Sequence, residues 1–106
     1  MIEARIRKQD GRYRSVRVKG HAEYAEAGKD IVCAAVSMLV LNTANALESL
    51  TANKVTGKEE NGILSFEFSD VPDEKGELLI DTMLLGLEDV RKNYGKDYLK
   101  LIIEEV

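Results

Sequence analysis

The sequence predicts an α+β fold: a mixed or antiparallel sheet with two helices packed against it, in the order ββαββαβ. Three observations carry this. Asp10-Gly11 and Asn61-Gly62 each sit between stretches of alternating apolar and polar residues, which is the pattern of a tight hairpin. A long segment with helical character follows each hairpin, and a last alternating stretch closes the chain. At 106 residues there is material for one core, so residues 1–106 are read as a single domain.

Taken in order, residues 2–8 and 13–20 are the first two strands, with Ile2, Ala4 and Ile6 facing the same way as Val16, Val18 and Gly20. A first helix runs from about Ile31 to about Leu50, with Asp30 as its expected N-cap. Residues 54–60 and 63–69 make the second hairpin, with Ile63, Leu64, Phe66 and Phe68 as β-prone bulk. The second helix follows Pro72 with Asp73 as cap and runs through Leu79, Met83, Leu87, Val90 and Tyr94 until Gly95 stops it. Residues 97–105 supply the last strand.

On a helical wheel with Cys33 at zero, Asp30, Ser37, Asn42, Asn45, Glu48 and Ser49 fall between about 40° and 180°. Val32, Val36, Met38, Leu39, Val40, Leu47 and Leu50 are expected to make up the apolar face. Leu41 interrupts the polar stripe, and Leu78 and Leu85 leave the main stripe of the second helix, which is extra apolar surface consistent with a homodimer or, equally, with a second packed layer. Cys33 lies on the border between the two faces of its helix.

The chain carries 15 basic and 19 acidic residues, a net charge of -4. Residues 1–20 hold seven of the basic side chains against two acidic ones, and the rest is correspondingly acidic. A solvated outer face on the first hairpin is one reading of this and a patch that touches RNA or steers a partner is the other; no aromatic-rich RNA-binding strand or zinc knuckle accompanies it, and direct nucleic-acid binding is not expected. No apolar run reaches the roughly 18 residues of a membrane span, and the alternating start of the chain reads as a strand rather than a leader. One cysteine and one histidine exclude a four-ligand zinc site built from those residues alone, and neither metal nor cofactor is expected. A lone thiol fits a reducing cytoplasm.

Chemistry concentrates in one segment. Cys33 and His21, each present once, flank a short loop at the expected start of the first helix. With Asp30 as cap, Cys33 occupies the third helical position, where the helix dipole stabilises a thiolate and unpaired N–H groups can hold an oxyanion. His21, ending the second strand, can take the thiol proton and return it to a leaving amine. Asp30 either orients His21 or only caps the helix. Ser37, one turn past Cys33, lines the same side. Residues 22–29 form either a lid over the site or a plain connection. The structural alternative is a cysteine serving as a small buried hydrophobe and a histidine at a strand end.

Gly20-His21-Ala22 followed by Gly28-Lys29-Asp30-Ile31-Val32-Cys33-Ala34-Ala35-Val36-Ser37 resembles the signature of the bacterial ribosomal-processing cysteine proteases, the Prp family. The element order, the Asn-Gly hairpin and Thr82-Met83-Leu84 in the second helix are similar too. The resemblance implies a cytoplasmic, homodimeric endopeptidase that removes the N-terminal extension from the precursor of a large-subunit ribosomal protein (number twenty-seven of that subunit). It places the nucleophile at Cys33 and the catalytic histidine at His21, with Gly20, Asp30 and Ser37 on further motif positions and no cofactor. The acidic remainder of the chain would attract such a basic substrate. The runner-up reading is a non-enzymatic ribosome- or RNA-associated module using the basic N-terminal hairpin; a redox-sensing thiol ranks last, for want of a resolving cysteine.

Overall fold

The computed structural model describes residues 1–20 and 27–106, the side chains of residues 27–30 and 95 apart. The described residues form β1 (Ile2–Gln9), β2 (Arg12–Lys19), α1 (Ala27–Leu50), β3 (Val55–Glu60), β4 (Ile63–Phe68), α2 (Glu74–Val90), a π turn (Arg91–Gly95) and β5 (Leu99–Glu105). The expected order ββαββαβ holds.

Both hairpins turn where the local chemistry requires. Asp10 and Gly11 have φ of 52° and 76°, and Asn61 and Gly62 have 53° and 76°. Positive φ at both central residues is the turn whose twist matches that of the flanking strands, and Asp, Asn and Gly tolerate it best. The strands then order as β3-β4-β2-β1-β5, antiparallel except for the parallel β1–β5 pair.

Register sorts the sheet into two unlike faces. Ile6 pairs with Val16 and Val16 with Phe66, while Ala4 pairs with Val18 and Val18 with Leu64. These rows are buried, together with Ile2, Phe68 and Leu99, and they receive both helices. Because side chains alternate along a strand, the intervening rows, including Arg5, Arg17, Ser65 and Lys58, form an opposite face with no layer on it among the described residues.

The helices pack through small residues. A Cβ on Gly86 would come within 2.8 Å of Leu39 Cδ2, so α2 approaches α1 closely there. Asp73 caps α2 as expected, its Oδ1 accepting from the Gly76 N–H at 2.9 Å. The Asn53 amide donates to the same oxygen at 2.7 Å, and Asn53 Oδ1 accepts from the Asp73 N–H at 3.1 Å. The amide contact, then the Gly76 N–H, hold the Asp73 carboxyl below its ordinary pKa. At the far end of the first hairpin, the buried Tyr13 donates to Asp81 at 2.5 Å and its N–H donates to Glu77 at 2.9 Å.

Three expectations need correction. Helix α1 starts at Ala27, so Asp30 lies inside its first turn and is not the N-cap, and residues 27–29 of the expected loop are helical. Ala27 and Lys29 are good helix formers, an acid is favourable in the first turn, and together these outweigh the roughly 1 kcal/mol disadvantage of Gly28. Secondly, Met38 and Leu50 are exposed rather than in the apolar face, while Thr43 is buried with its hydroxyl donating to the Leu39 carbonyl at 2.7 Å. The buried line is Val32, Val36, Val40, Thr43 and Leu47, the i, i+4, i+8, i+11 and i+15 positions of one stripe. Thirdly, Ile31–Leu50 is long and apolar enough, by length and composition, to cross a membrane; the polar residues that interrupt the run do not offset its aliphatic content. In this fold one stripe of that helix is core.

Candidate functional site

Strand pairing fixes where the site lies. Ile2 is opposite Leu99, Glu3 opposite Lys19, and Lys19 opposite Ile63, so the start of β1, the end of β2, and the starts of β4 and β5 share one end of the sheet. Only six residues separate Gly20 from the start of α1 at Ala27, which brings the N-terminal turns of α1 to the same end.

Cys33 is the seventh residue of α1. It is partly buried, packs against the core between the fully buried Val32 and Val36, and belongs to no disulfide. This is the border position expected from the helical wheel. Ser37 follows at i+4, on the same side of the helix, and is also partly buried. The structure therefore puts Cys33 and Ser37 on one side of α1, both partly buried.

The longer helix changes the electrostatics expected around the thiol. The unpaired N–H groups of a helix are its first four, here those of residues 27–30. The Cys33 N–H falls within the i→i−4 ladder, and the dipole's influence fades after the first turn. An oxyanion held by helix N–H groups thus belongs a turn upstream of Cys33, not at Cys33 itself.

Gly20 has φ of 89°, is buried, and donates its N–H to the Gly62 carbonyl at 3.3 Å. That left-handed backbone, readily adopted only by glycine, turns the chain out of β2 at the residue before His21. The sequence singled out Gly20 by resemblance; the structure supplies its reason. His21 and residues 22–26, including most of the expected lid, lie outside the described residues, as does the Asp30 side chain.

Two neighbouring features had no clear sequence signal. The π turn at Arg91–Gly95 packs against α1, and Tyr94 on it is exposed; Gly95 marks its end, yet nothing in Arg-Lys-Asn-Tyr announces a wide turn. Beside it a cavity of about 620 Å³ opens between Met1, Arg91, Lys96, Leu99 and Leu101.

A model of the cysteine protease Prp family matches residues 1–100. A Bacillus subtilis protein named ribosomal processing cysteine protease Prp is 36% identical, over 95% of this chain and 96% of its own length. A crystal structure of a Streptococcus mutans protein superposes with a TM-score of 0.89 at 34% identity, covering 100% of this chain and 99% of its own. The Staphylococcus aureus ribosomal processing protease Prp, crystallised in complex with a substrate peptide, gives a TM-score of 0.89 at 27% identity, over 97% and 99% of the two chains.

Proposed function

The chain belongs to the cysteine protease Prp family, and from that membership we propose that it is a cysteine endopeptidase using Cys33 as nucleophile and His21 as proton carrier. Its substrate is the precursor of a large-subunit ribosomal protein, number twenty-seven of that subunit, from which it removes the short N-terminal extension in the cytoplasm. The observation that carries this is the position of Cys33, a partly buried cysteine on a helix border, in a fold shared end to end with a protease crystallised on a substrate peptide.

In this reaction the imidazole of His21 takes the thiol proton while Sγ bonds to the scissile carbonyl carbon, whose oxygen becomes an oxyanion. Collapse breaks the C–N bond; the imidazolium gives its proton to the departing amine and a thioester remains. Water then attacks the thioester, passing a proton through His21 to the sulfur, and the acid product leaves. Ser37 lines the thiol's side of the helix and Gly20 directs the chain towards His21, while the N–H groups of the first turn of α1, with Asp30 beside them, are the nearest helix donors for the oxyanion. The acidic side chains of α2 (Glu74, Glu77, Asp81, Glu88 and Asp89) favour a basic substrate. The outer sides of the helices, with Met38, Leu41, Leu78 and Leu85 exposed, are the surface on which a second copy would sit.

The test is cleavage of the precursor followed by mass spectrometry. Cys33→Ala is expected to abolish it, and His21→Ala to slow it by about 10²–10⁴. Wild-type cleavage by Cys33→Ala would end the proposal.

A further inference from the structure

The face of the sheet turned away from both helices is the least explained surface of the molecule. Its rows follow from register: Glu3, Arg5 and Arg7 on β1; Ser15, Arg17 and Lys19 on β2; Ile63, Ser65 and Glu67 on β4; Thr56, Lys58 and Glu60 on β3; and Lys100, Ile102 and Glu104 on β5. Six cations share it with four carboxylates. Three of those carboxylates are occupied. Arg5 bridges Glu3 at 3.0 Å and Glu104 at 2.9 Å, Arg7 holds the other oxygen of Glu104 at 3.0 Å, and Lys58 pairs with Glu60 at 2.9 Å. The hydrogen bonds from these arginines depress the Glu3 and Glu104 pKa values. Arg17, Lys19 and Lys100 have no ion pair among the described residues.

The excess positive charge is concentrated where two shallow grooves meet. One, of about 240 Å³, is lined by Glu3, Arg5, Arg7, Arg17 and Lys19. The other, of about 400 Å³, is lined by Arg17, Lys58, Glu60, Asn61, Ile63 and Ser65. Arg17 belongs to both. In row order Arg5, Arg17, Ser65 and Lys58 cross four strands, each step about 4.8 Å, while Arg17 and Lys19 are about 6.7 Å apart along β2. The helical layer is of the opposite sign, with five acids on α2 against Lys75.

We propose that this open face docks the phosphodiester backbone of RNA. A flat, shallow lattice of cations spaced along and across the strands suits a polymer with one charge per nucleotide. Among the described residues the face carries no aromatic side chain on which bases could stack, so binding is through phosphate, without sequence preference. The lack of an aromatic RNA-binding strand, which spoke against nucleic acid in the sequence, therefore excludes base readout and not backbone contact. Cys33 stands on the other side of the sheet, so docking and thiol chemistry are separable, and a precursor bound to RNA could be presented while the enzyme is held beside it.

The experiment is fluorescence anisotropy with a labelled 20-nucleotide oligouridine, on wild type, Cys33→Ala and the double variant Arg17→Glu/Lys58→Glu. Three phosphate contacts, at a slope of about 0.7 each, weaken binding roughly 20-fold between 50 and 200 mM salt. Wild type and Cys33→Ala should bind alike, and the double variant at least tenfold more weakly, with an unchanged thermal melt and unchanged peptide cleavage. The inference is overturned by no binding at 50 mM salt, by a double variant that binds like wild type, or by oligoglutamate competing as well as oligouridine per charge.

Discussion

Replacing Gly76 with alanine sets helix propensity against packing, and the structure decides the sign. Gly76 is the third residue of α2. Propensity alone predicts that alanine there stabilises the protein by about 0.5–1 kcal/mol. The added Cβ, however, would lie 2.9 Å from Asn53 Nδ2 and 3.0 Å from its Cγ and Oδ1. Asn53 is not a loose side chain that can swing aside. Its amide donates to Thr51 Oγ1 at 3.0 Å as well as to Asp73, and its oxygen accepts from the Asp73 N–H. Expelling it breaks three hydrogen bonds worth roughly 1 kcal/mol each, and the net change is a loss of about 2 kcal/mol. In a domain of this size that lowers Tm by roughly 8–12 °C. The assay is a circular-dichroism melt of Gly76→Ala, Asn53→Ala and the double variant. Gly76→Ala should destabilise the wild type and be neutral or stabilising once Asn53 is gone. A higher Tm for Gly76→Ala in the wild-type background refutes the packing argument.

Two further outcomes follow from the same geometry. Gly20→Ala forces a side chain into a left-handed backbone and should cost about 1–2 kcal/mol in a urea titration, with a larger loss of precursor cleavage than of stability; equal losses would reduce Gly20 to a folding residue. The homodimer proposed above should become a monomer in sedimentation when Leu85→Lys is combined with Met38→Lys, without a change in the melt at low concentration, and an unchanged sedimentation coefficient would remove the helix layer as its surface.

What could be read from the sequence was local. Asp10-Gly11 and Asn61-Gly62 specify their turns by themselves, and Pro72-Asp73 marks the start of α2 within four residues. Cys33 fell where expected because its own helix fixes the border. Gly28 reads locally as a stop, yet α1 begins at Ala27, because glycine in a first turn is easily overruled by its neighbours. Met38 is exposed because it falls at about 140° on the wheel, inside the polar arc, and Leu50, on the buried side, is exposed because it is the last residue of α1. The cationic lattice was hidden for a different reason. Arg17 and Lys58 are 41 positions apart and become neighbours only through the β2–β4–β3 register, which no local pattern contains.

The apolar breadth of α1 also bears on how the protein is made. A ribosome releases Ile31–Leu50 as a segment that a membrane-targeting factor could accept. The β1–β2 hairpin precedes it in the chain, closed by its own turn and offering Ile2, Ala4, Ile6, Val16 and Val18 as a ready apolar face. Chains fold as they emerge, N-terminal parts first, so the order of elements lets α1 find its sheet before anything else finds α1. A chain in which the hairpin followed α1 would leave the nascent helix with no apolar face to meet.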